Sequence, residues 1–490
     1  MKDIKFDFNN MFSSNIGREH GVTVPELDSF SGAIRKAHQH FNSLIKNSKN
    51  RVGLCAEWTA LPHQDKVTLR KIQVLGDEIA KKFDNVLSLG IGGSYLGLKA
   101  AQEALRAPYY NEFANLRSRR PRIYFEGNNL DPMPLKVLLK NLDPKKTFCI
   151  VISKSGETTE TKAAFDAVED WLKKGVGKNY GRQVCAITDP RSGNLRRRVA
   201  EEQENDPLSF VSLPLLPGVG GRFSEFNMGL LHLAVIGIDI NEVLAGAQAM
   251  ALRCLSDSVY KNPALMYAAL HHIAYRKKAK SIAIMMPFCE SLKSTADWYC
   301  QLLAESLGKK YERKIIVKEG GIEEWQRDMR RAVCVGRTPV STRGTTDLHS
   351  IQQNNVEGEN NKTITMIRVE NFREDIILPK GKGLLSGRSF SQLLKLAQEA
   401  TAWALVEAKR PNSTVVMPEV SPYQWAGLLY FFELATAFEG ELLNVNAFDQ
   451  PGVESYKNYM YYKLKKPGIP AEVATEIKKH PLKKNRRFIL

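Results

Sequence analysis

Short, almost continuous apolar runs along the chain predict buried strands, and stretches with helical spacing lie between them. A strand that is apolar throughout is typical of a parallel sheet covered on both faces. Alternation of such strands with helices, for example the predicted helix Thr159–Lys173, indicates a doubly wound α/β fold. In the first half of the chain we predict strands at Asn85–Leu89, Arg122–Phe125, Phe148–Ile152, Val184–Thr188 and Phe210–Leu213.

The same alternation returns in the second half, after a long helical region at 227–255. A chain of 490 residues is too long for one ordinary core. We therefore predict two doubly wound parallel-sheet domains, at 81–260 and 261–450. A helical N-terminal segment (1–80) precedes them, and a C-terminal helical arm with a basic tail (451–490) follows. The strands predicted in the second domain are Ser281–Met286, Lys314–Val317, Thr363–Val369 and Thr414–Met417.

Composition points to a globular protein without membrane segments. Apolar residues make up 43% of the chain, but no apolar run is long enough to span a membrane. The first residues also lack the apolar core of a signal peptide. The seven cysteines are scattered without C-x-x-C spacing, which is typical of reduced core thiols rather than zinc ligands or disulfides. We therefore expect a cytoplasmic protein that does not contact a membrane.

The strongly basic charge favours an anionic small-molecule partner over nucleic acid. The formal net charge is +17, but the basic residues are spread in small groups along the chain. The sequence has no zinc finger, RNP motif or basic region joined to heptads, which would support nucleic-acid binding. We expect no nucleic-acid partner and interpret the charge as a solvated basic surface that attracts anionic substrates.

The predicted strand Phe148–Ile152 runs directly into the turn S-K-S-G-E-T-T-E, which begins at Ser153. A hydroxyl-rich turn at a helix start offers backbone N–H groups, side-chain donors and the positive end of a helix dipole, all of which suit a phosphate group. Ser153, Ser155 and Thr158 supply the hydroxyls, and Lys154 lies inside the turn. The turn is not a Walker A loop, so we expect a small phosphorylated metabolite. The alternative is that these residues only cap the next helix.

A glycine-rich turn, 90–97, follows the strand Asn85–Leu89 in the same way. It differs from a dinucleotide-binding motif because Tyr95 occupies the third glycine position, which disfavours NAD. At Gly93 and Ser94 the turn would let a sugar or a phosphate approach the backbone. Ligands of doubly wound sheets bind at the carboxyl ends of the strands, so we expect this turn and the Ser153 turn at one edge.

Four further stretches carry polar side chains that could act on such a ligand. Arg222 follows two glycines, and Gln301 and Glu305 share one face of a predicted helix that stops at Gly308. Each has a structural alternative, since a Glu at a helix end usually faces solvent and a lone His is usually a surface or packing residue. The remaining candidates are His349 in a polar segment, and Gln450 and Lys457, which we predict to share a helix face.

Together these stretches resemble the glucose-6-phosphate isomerases. The resemblance runs from about Trp58 to Gly468 and is most specific in its last two motifs. They occur in the order expected for the family. The four stretches are I-G-G-S-x-L-G at 91–97, S-K-S-G-E-T-T-E at 153–160, V-G-G-R-F-S at 219–224 and F-D-Q-P-G-V-E-x-x-K at 448–457.

The resemblance implies an aldose–ketose isomerisation of glucose 6-phosphate and fructose 6-phosphate through a cis-enediol, in glycolysis and gluconeogenesis. It implies that Glu305 is the enediol base and that Arg222 stabilises the intermediate. His349 and Lys457 would help to open the sugar ring. It also implies sugar isomerase (SIS-type, flavodoxin-like) domains, no metal or cofactor, and a homodimer in which His349 crosses the interface. The implied substrate contacts are Gly93, Ser94, Ser153, Lys154, Ser155, Thr158, Gln301 and Gln450.

The chain departs from the family pattern at several points. Pro217 and Glu225 flank the arginine motif where the family tends to carry other residue types, and the spacing between Glu305 and His349 is wide. Lys309–Arg343 is therefore a candidate insertion with a role of its own. Two alternatives remain open: an isomerase acting on mannose or glucosamine phosphates, and a non-catalytic sugar-phosphate sensor. The sensor would be expected to carry a helix-turn-helix module, which the sequence lacks.

Overall fold

The structure is a computed structural model that describes residues 3–490. The chain divides into two compact units, which are joined between Ala447 and Phe448. The first unit holds all twelve strands found in the described residues, and the second is helical. No helix within residues 3–490 combines the length and the apolar character that crossing a membrane requires.

The N-terminal segment is helical, as predicted, but it also contributes a strand. Helix α2 begins at a capping box in which Thr23 and Glu26 each bond the backbone N–H of the other. The short strand was missed because three residues show no periodicity. The elements are β1 (Lys5–Asp7), α1 (Ser13–Ile16), α2 (Val24–Lys46), α3 (Ser48–Gly53) and α4 (Lys66–Lys82).

The five strands predicted in the first half form one parallel sheet in the order β3-β2-β4-β5-β6. Every residue of β2, β4 and β5 is buried, which explains their apolar runs. The strands are β2 (Asn85–Leu89), β3 (Arg122–Glu126), β4 (Thr147–Ile152), β5 (Val184–Thr188) and β6 (Val211–Pro214). The helices are α5 (Leu96–Leu105), α6 (Pro132–Asn141), α7 (Thr159–Val176) and α8 (Asn194–Asn205).

The helical region that follows is broken, where one long stretch was expected. The break falls at Gly237, whose φ of +77° suits glycine and ends the first helix. Asp239 then caps the next helix by accepting from the N–H of Asn241 at 2.8 Å. The helices are α9 (Glu225–Val235), α10 (Ile240–Arg253) and α11 (Pro263–Lys278).

The second sheet has the order β1-β12-β11-β7-β10, with β1 antiparallel and the other strands parallel. The prediction of two doubly wound parallel sheets is thus confirmed, while the domain boundaries stay predictions. The strands after the first sheet are β7 (Ile282–Pro287), β8 (Lys309–Lys318), β9 (Ile322–Val335), β10 (Thr338–Ser341), β11 (Lys362–Asn371) and β12 (Asn412–Glu419). The helices are α12 (Lys293–Leu307), α13 (Gln352–Glu357), α14 (Phe390–Glu407) and α15 (Pro422–Leu443).

The strand predicted at Lys314–Val317 lies outside this sheet. It belongs to β8, which pairs with β9 in a separate antiparallel ribbon. Both strands of the ribbon are mostly exposed or half-buried, and their apolar residues are mixed with charged ones, unlike the strands of a sheet core. The prediction of a strand was therefore correct, but its assignment to the second sheet was wrong.

Helix α12 runs antiparallel to the strands of the second sheet. At its end, a Cβ on Gly336, just before β10, would lie 2.7 Å from the Cα of Gly308. At the other end of β10, a Cβ on Gly344 would lie 2.4 Å from the ring of Phe288, which follows β7 and precedes α12. The helix therefore starts at the carboxyl edge of the second sheet and ends at the opposite edge.

The ribbon is fastened to helices α2 and α15 by a charged cluster. His40 on α2 contacts Glu441 at 2.7 Å and Glu323 on β9 at 3.0 Å. Arg313 on β8 bonds the same Glu441 and stacks on Trp325, with 4.1 Å between the guanidinium carbon and the ring centroid. The cluster holds the ribbon that directly follows α12.

Replacing His40 by Gln should destabilise the chain, and the size of this loss of stability should depend on pH. The Glu441 hydrogen bond raises the pKa of His40 above 6.5, although burial opposes the shift. A group whose pKa is raised in the folded state contributes its full stabilisation below its unfolded-state pKa. That stabilisation is lost as pH rises through the folded-state pKa. The fall in melting temperature caused by His40→Gln should thus be larger near pH ~6 than near pH ~8.5.

Thermal scans at both pH values measure this difference, and His480→Gln is the control because His480 is exposed in the second unit. If His40→Gln lowers the melting temperature equally at both pH values, the protonated form of His40 is not stabilised by Glu441.

Candidate active site

Two turns lie side by side at the carboxyl edge of the first sheet. Strands β2 and β4 are parallel neighbours, with Leu89 opposite Val151. The chain proceeds from β2 to β3 on one side and then returns to β4 on the other, which creates the crevice where ligands of such sheets bind. The glycine-rich turn after Leu89 and the hydroxyl-rich turn after Ile152 therefore meet at this crevice, as predicted.

The hydroxyl-rich turn, Ser153–Thr158, is built to face the start of α7. Ser153 Oγ accepts from the N–H of Gly156 at 3.0 Å, and Ser155 Oγ accepts from the N–H of Glu157 at 3.1 Å. Thr158 takes the N-cap position of α7, but its side chain makes no capping hydrogen bond. The capping alternative is thus not realised at Thr158, and the serine O–H groups can still donate to a ligand.

Neighbouring elements keep this turn in one conformation. Thr188 at the end of β5 donates to the carbonyl oxygen of Ser153 at 2.8 Å. Gly156 has a φ of +76°, and a Cβ there would lie 2.5 Å from the backbone nitrogen of Leu195. Lys154 is exposed at the tip of the turn. The turn is therefore a preformed element of the sheet edge.

The glycine-rich turn touches the arginine motif backbone to backbone. A Cβ on Gly93 would lie 1.8 Å from the carbonyl oxygen of Gly221, so only glycine fits. Gly92, with a φ of +60°, faces Gln301 on α12, whose Nε2 would lie 3.0 Å from a Cβ at this position. Ser94, which ends the turn, is half-buried. Three of the predicted site segments thus converge at this point.

Arg222 is the most deeply buried charge of the site, with 1% of its surface exposed. Its Nε donates to Ser306 Oγ at 2.8 Å, and its Nη2 donates to the carbonyl oxygen of Ala447. Its Nη1 donates to Glu305 Oε2 at 3.2 Å. The guanidinium is therefore held on three sides and can present a fixed positive charge.

Glu305 is positioned but still open on one side. Besides Arg222, it accepts from Gln301 Nε2 at 3.0 Å, and its backbone carbonyl oxygen accepts from Lys309 Nζ at 2.7 Å. About a quarter of its side chain (26%) is exposed, which leaves room for a substrate. The buried Oε1 of Gln301 has no hydrogen-bond partner within residues 3–490, so it can accept from a ligand.

His349 lies elsewhere in the same chain. It ends a short 3-10 turn, Thr346–His349, after β10, and it is exposed. Because α12 begins at that edge and Glu305 lies in its last turn, about 18 Å of helix separates the two ends. The structure therefore does not bring His349 and Glu305 of one chain together.

Gln450 and Lys457 belong to the second unit, which contains α16 (Glu454–Lys463) and α17 (Ala471–Lys479). The prediction that they share a helix face is wrong, because a 3-10 turn opened by Pro451 separates Gln450 from the start of α16. On α16, Lys457 Nζ lies 2.9 Å from Glu454 Oε1. Partial burial opposes the charged form of Lys457, but the bond to Glu454 raises its pKa overall.

Sequence reasoning missed three groups that hold the central pair. Ser306 and the carbonyl of Ala447 anchor Arg222, and Lys309 anchors the end of α12. A signal existed for two of them, since Ser306 and Lys309 directly follow Glu305 in E-S-L-G-K. Nothing in the sequence pattern indicates the carbonyl of Ala447, because any residue could supply it.

A model of the phosphoglucose isomerase family matches residues 68–325 and 347–468 of this chain. The chain belongs to the phosphoglucose isomerase family. A glucose-6-phosphate isomerase of Carboxydothermus hydrogenoformans is 38% identical over 494 residues and covers 99% of both chains. One of Symbiobacterium thermophilum is 35% identical and covers 92% of this chain and 94% of its own. The gap between the two matched segments, 326–346, overlaps the second half of the candidate insertion Lys309–Arg343.

Two solved structures are similar to this chain over most of its length. A hypothetical protein of Thermus thermophilus is 31% identical, with a TM-score of 0.77 over 94% of this chain and 99% of its own. A glucose-6-phosphate isomerase of Chlamydia trachomatis is 21% identical, with a TM-score of 0.74 over 96% of this chain and 95% of its own. The second likeness shows a common fold.

Adding a methyl group at Gly93 should damage the site without unfolding the chain completely. In Gly93→Ala the Cβ would overlap the Gly221 carbonyl oxygen, and overpacking of this kind costs about 1–3 kcal/mol of unfolding free energy. The added methyl group would displace the backbone at Gly221, next to Arg222. We therefore expect kcat to fall by at least ~10-fold. Denaturant unfolding and a coupled isomerase assay measure the two effects.

Gly229→Ala is the matched control, because Gly229 lies inside α9 and a Cβ there would meet no atom within 4 Å. It should keep both stability and kcat. Equal behaviour of the two variants would show that the Gly93–Gly221 contact does not position the site.

Proposed function

We propose that this chain catalyses the reversible isomerisation of glucose 6-phosphate and fructose 6-phosphate through a cis-enediol, in glycolysis and gluconeogenesis. The observation that carries the proposal is the partly exposed carboxylate of Glu305 against the buried guanidinium of Arg222, beside the turns at the carboxyl edge of the first sheet. Membership of the phosphoglucose isomerase family and the names of its relatives support the same reaction.

Moving a carbonyl between C1 and C2 requires removing a proton from the carbon beside the carbonyl and returning it to the neighbouring carbon. Glu305 is the base, and one carboxylate serves both carbons because they are adjacent. Negative charge grows on the enediolate oxygens as the proton leaves. Arg222, already fixed by Ser306 and Ala447, stabilises that charge, a kind of preorganised contact worth about 3–4 kcal/mol.

The phosphate group of the substrate binds in the hydroxyl-rich turn. Ser153, Ser155 and Thr158 donate from their hydroxyls and Lys154 supplies charge, while the start of α7 adds its N–H groups. Gly93 and Ser94 admit the sugar close to the backbone. Gln301 holds Glu305 through its amide nitrogen and contacts the substrate through its oxygen.

Ring opening precedes isomerisation, because a proton must pass between the ring oxygen and the C1 hydroxyl. We assign this transfer to His349 and Lys457, with Gln450 as a further substrate contact. Within one chain His349 lies at the edge of the second sheet opposite to the end of α12 that carries Glu305. This separation supports a homodimer in which His349 completes the site of the partner subunit.

A cytoplasmic location fits these roles. All seven cysteines are free, and most are buried, as in a reducing compartment.

Replacing the base should remove turnover but keep substrate binding. For Glu305→Gln we expect kcat to fall by about 10³-fold, because a neutral amide cannot take the proton. Calorimetry with fructose 6-phosphate should still detect binding through the phosphate turn. Glu201→Gln is the control, since Glu201 is an exposed carboxylate on α8. Retained turnover in Glu305→Gln would rule out the proposed base.

Side-by-side assays on fructose 6-phosphate, mannose 6-phosphate and glucosamine 6-phosphate test whether the chain is one of the rival isomerases.

Mixing two inactive variants tests whether His349 acts across subunits. In a dimer of one Glu305→Gln chain and one His349→Ala chain, one site receives both native residues. Random pairing of equal amounts gives half mixed dimers, so activity should return to about a quarter of the native value. If His349 acts within its own chain, every site lacks one group and mixing restores nothing. Each variant refolded alone provides the baseline.

A further inference from the structure

Two buried carboxyl groups lie behind the Arg222 turn and take no part in the proposed reaction. Glu225 is the first residue of α9 and is 4% exposed, and Glu433 lies in the middle of α15 and is fully buried. Each carboxyl group lies close enough to the other to influence its ionisation. Burying two acidic groups together is costly unless a proton or a donor compensates.

Glu225 joins three elements of the site. Its Oε1 accepts from the indole N–H of Trp298 on α12 at 2.7 Å, and its Oε2 accepts from the N–H of Ser224 at 3.0 Å. A Cβ on Gly97, at the start of α5, would lie 2.3 Å from Cγ of Glu225. Trp298 lies two helical turns before Glu305, and Ser224 lies two residues after Arg222. Glu225 therefore connects the base helix, the arginine turn and the helix that follows the glycine-rich turn.

Glu433 has no such donors. Neither of its carboxyl oxygens meets a donor group within residues 3–490. Two ionised carboxylates buried together would repel each other, and Glu433 has no donor to stabilise a charge, so one member of the pair carries a proton. Both oxygens of Glu225 already accept N–H bonds, and thus Glu433 is the member that carries the proton and donates it. Burial, as the main cause, raises the pKa of Glu225 to about 7 and the pKa of Glu433 well above its usual range.

The surrounding ionisable groups do not supply a positive charge to the pair. Tyr430, one turn before Glu433, is buried, and its pKa is raised by burial first and by Glu433 second. The guanidinium of Arg222 is directed to Glu305, Ser306 and Ala447. On α5, Lys99 and Glu103 pair with each other at 3.7 Å.

We propose that Glu225 is a positioning residue for the isomerase site, acting as one half of a carboxyl pair with Glu433 that shares a single proton. The proposal rests on the proposed roles of Glu305 and Arg222. While the proton is present, Glu225 holds the arginine turn against α12. When it is lost, two buried negative charges face each other, and the contacts between Arg222 and Glu305 loosen.

The proton makes stability depend on pH in a defined direction. An acidic group whose folded-state pKa is raised keeps its proton in the folded chain after the unfolded chain has lost it. The folded state is therefore progressively destabilised as pH rises above about 4.5, through about 7 for Glu225 and beyond for Glu433. At pH values below this window the pair has no effect on the unfolding equilibrium.

Glu433→Gln is the decisive variant, because its amide donates to Glu225 at every pH and cannot ionise. We expect its melting temperature to equal that of the native chain near pH ~4.5 and to exceed it by ~2–4 °C near pH ~8.5. The alkaline fall of kcat in the native chain should move to higher pH in Glu433→Gln. The proposal would be overturned if the difference in melting temperature were constant across pH. It would also be overturned if the fall of kcat at alkaline pH occurred at the same pH in both chains.

Two further measurements keep the test independent of folding and of the proposed base. The first uses the native chain and serves even if Glu433→Gln does not fold. Near neutral pH, its infrared spectrum should contain the C=O stretch of a protonated buried carboxyl, and the absence of this band would refute the shared proton.

The second uses two variants of Glu225. Glu225→Ala should lower kcat more than it changes KM, and Glu225→Gln, which keeps one acceptor oxygen, should restore part of the loss. Equal kcat losses in these two variants would contradict positioning. The melting curves need no turnover, so they stand even if Glu305→Gln remains active.

Discussion

The site depends on a buried guanidinium. A charge removed from water is tolerated only when its donors are satisfied, and Arg222 meets this requirement through Glu305, Ser306 and the carbonyl of Ala447. Two of these partners lie in the last turn of α12, which packs on the second sheet, whereas Arg222 itself follows the first sheet. The contacts of this one side chain therefore fix Glu305 relative to the crevice of the first sheet. Removing any partner would leave a buried charge incompletely paired, which is a larger loss than that of a surface ion pair.

The close approach of backbones explains why glycines mark the site. Gly93 lies against the carbonyl of Gly221 with no room for a side chain, so the turn after β2 and the turn before Arg222 act as one rigid surface. Glu225 strengthens the same assembly from behind by accepting bonds from Ser224 and Trp298. Polar groups at the crevice are thus held by contacts that were formed before any substrate arrives, which is the condition for electrostatic stabilisation of an enediolate.

Much of this arrangement could be predicted from local patterns. All five strands of the first sheet could be predicted from short, largely apolar runs between helical stretches, and the two turns from glycines and hydroxyls at strand ends. Local patterns marked Glu305 and Arg222 only as candidates, and their roles were implied by the resemblance to the family. Contacts between residues far apart in the chain could not be predicted, since neither the Ala447 carbonyl nor the Glu225–Glu433 pair leaves a periodic signal. Strand β8 was assigned to the wrong sheet because the short run Lys314–Val317, one lysine and three apolar residues, does not indicate which strand it pairs with.

In the proposed reaction, one carboxylate and one guanidinium act on the same two carbons of a hexose held by its phosphate. The decisive experiment is a crystal structure with a phosphorylated sugar-acid hydroxamate, whose planar end mimics the enediolate. We expect the planar group to lie between Glu305 and Arg222 while the phosphate occupies the turn Ser153–Thr158. An analogue bound with its planar end out of hydrogen-bond reach of Glu305, or with its phosphate outside that turn, would contradict it.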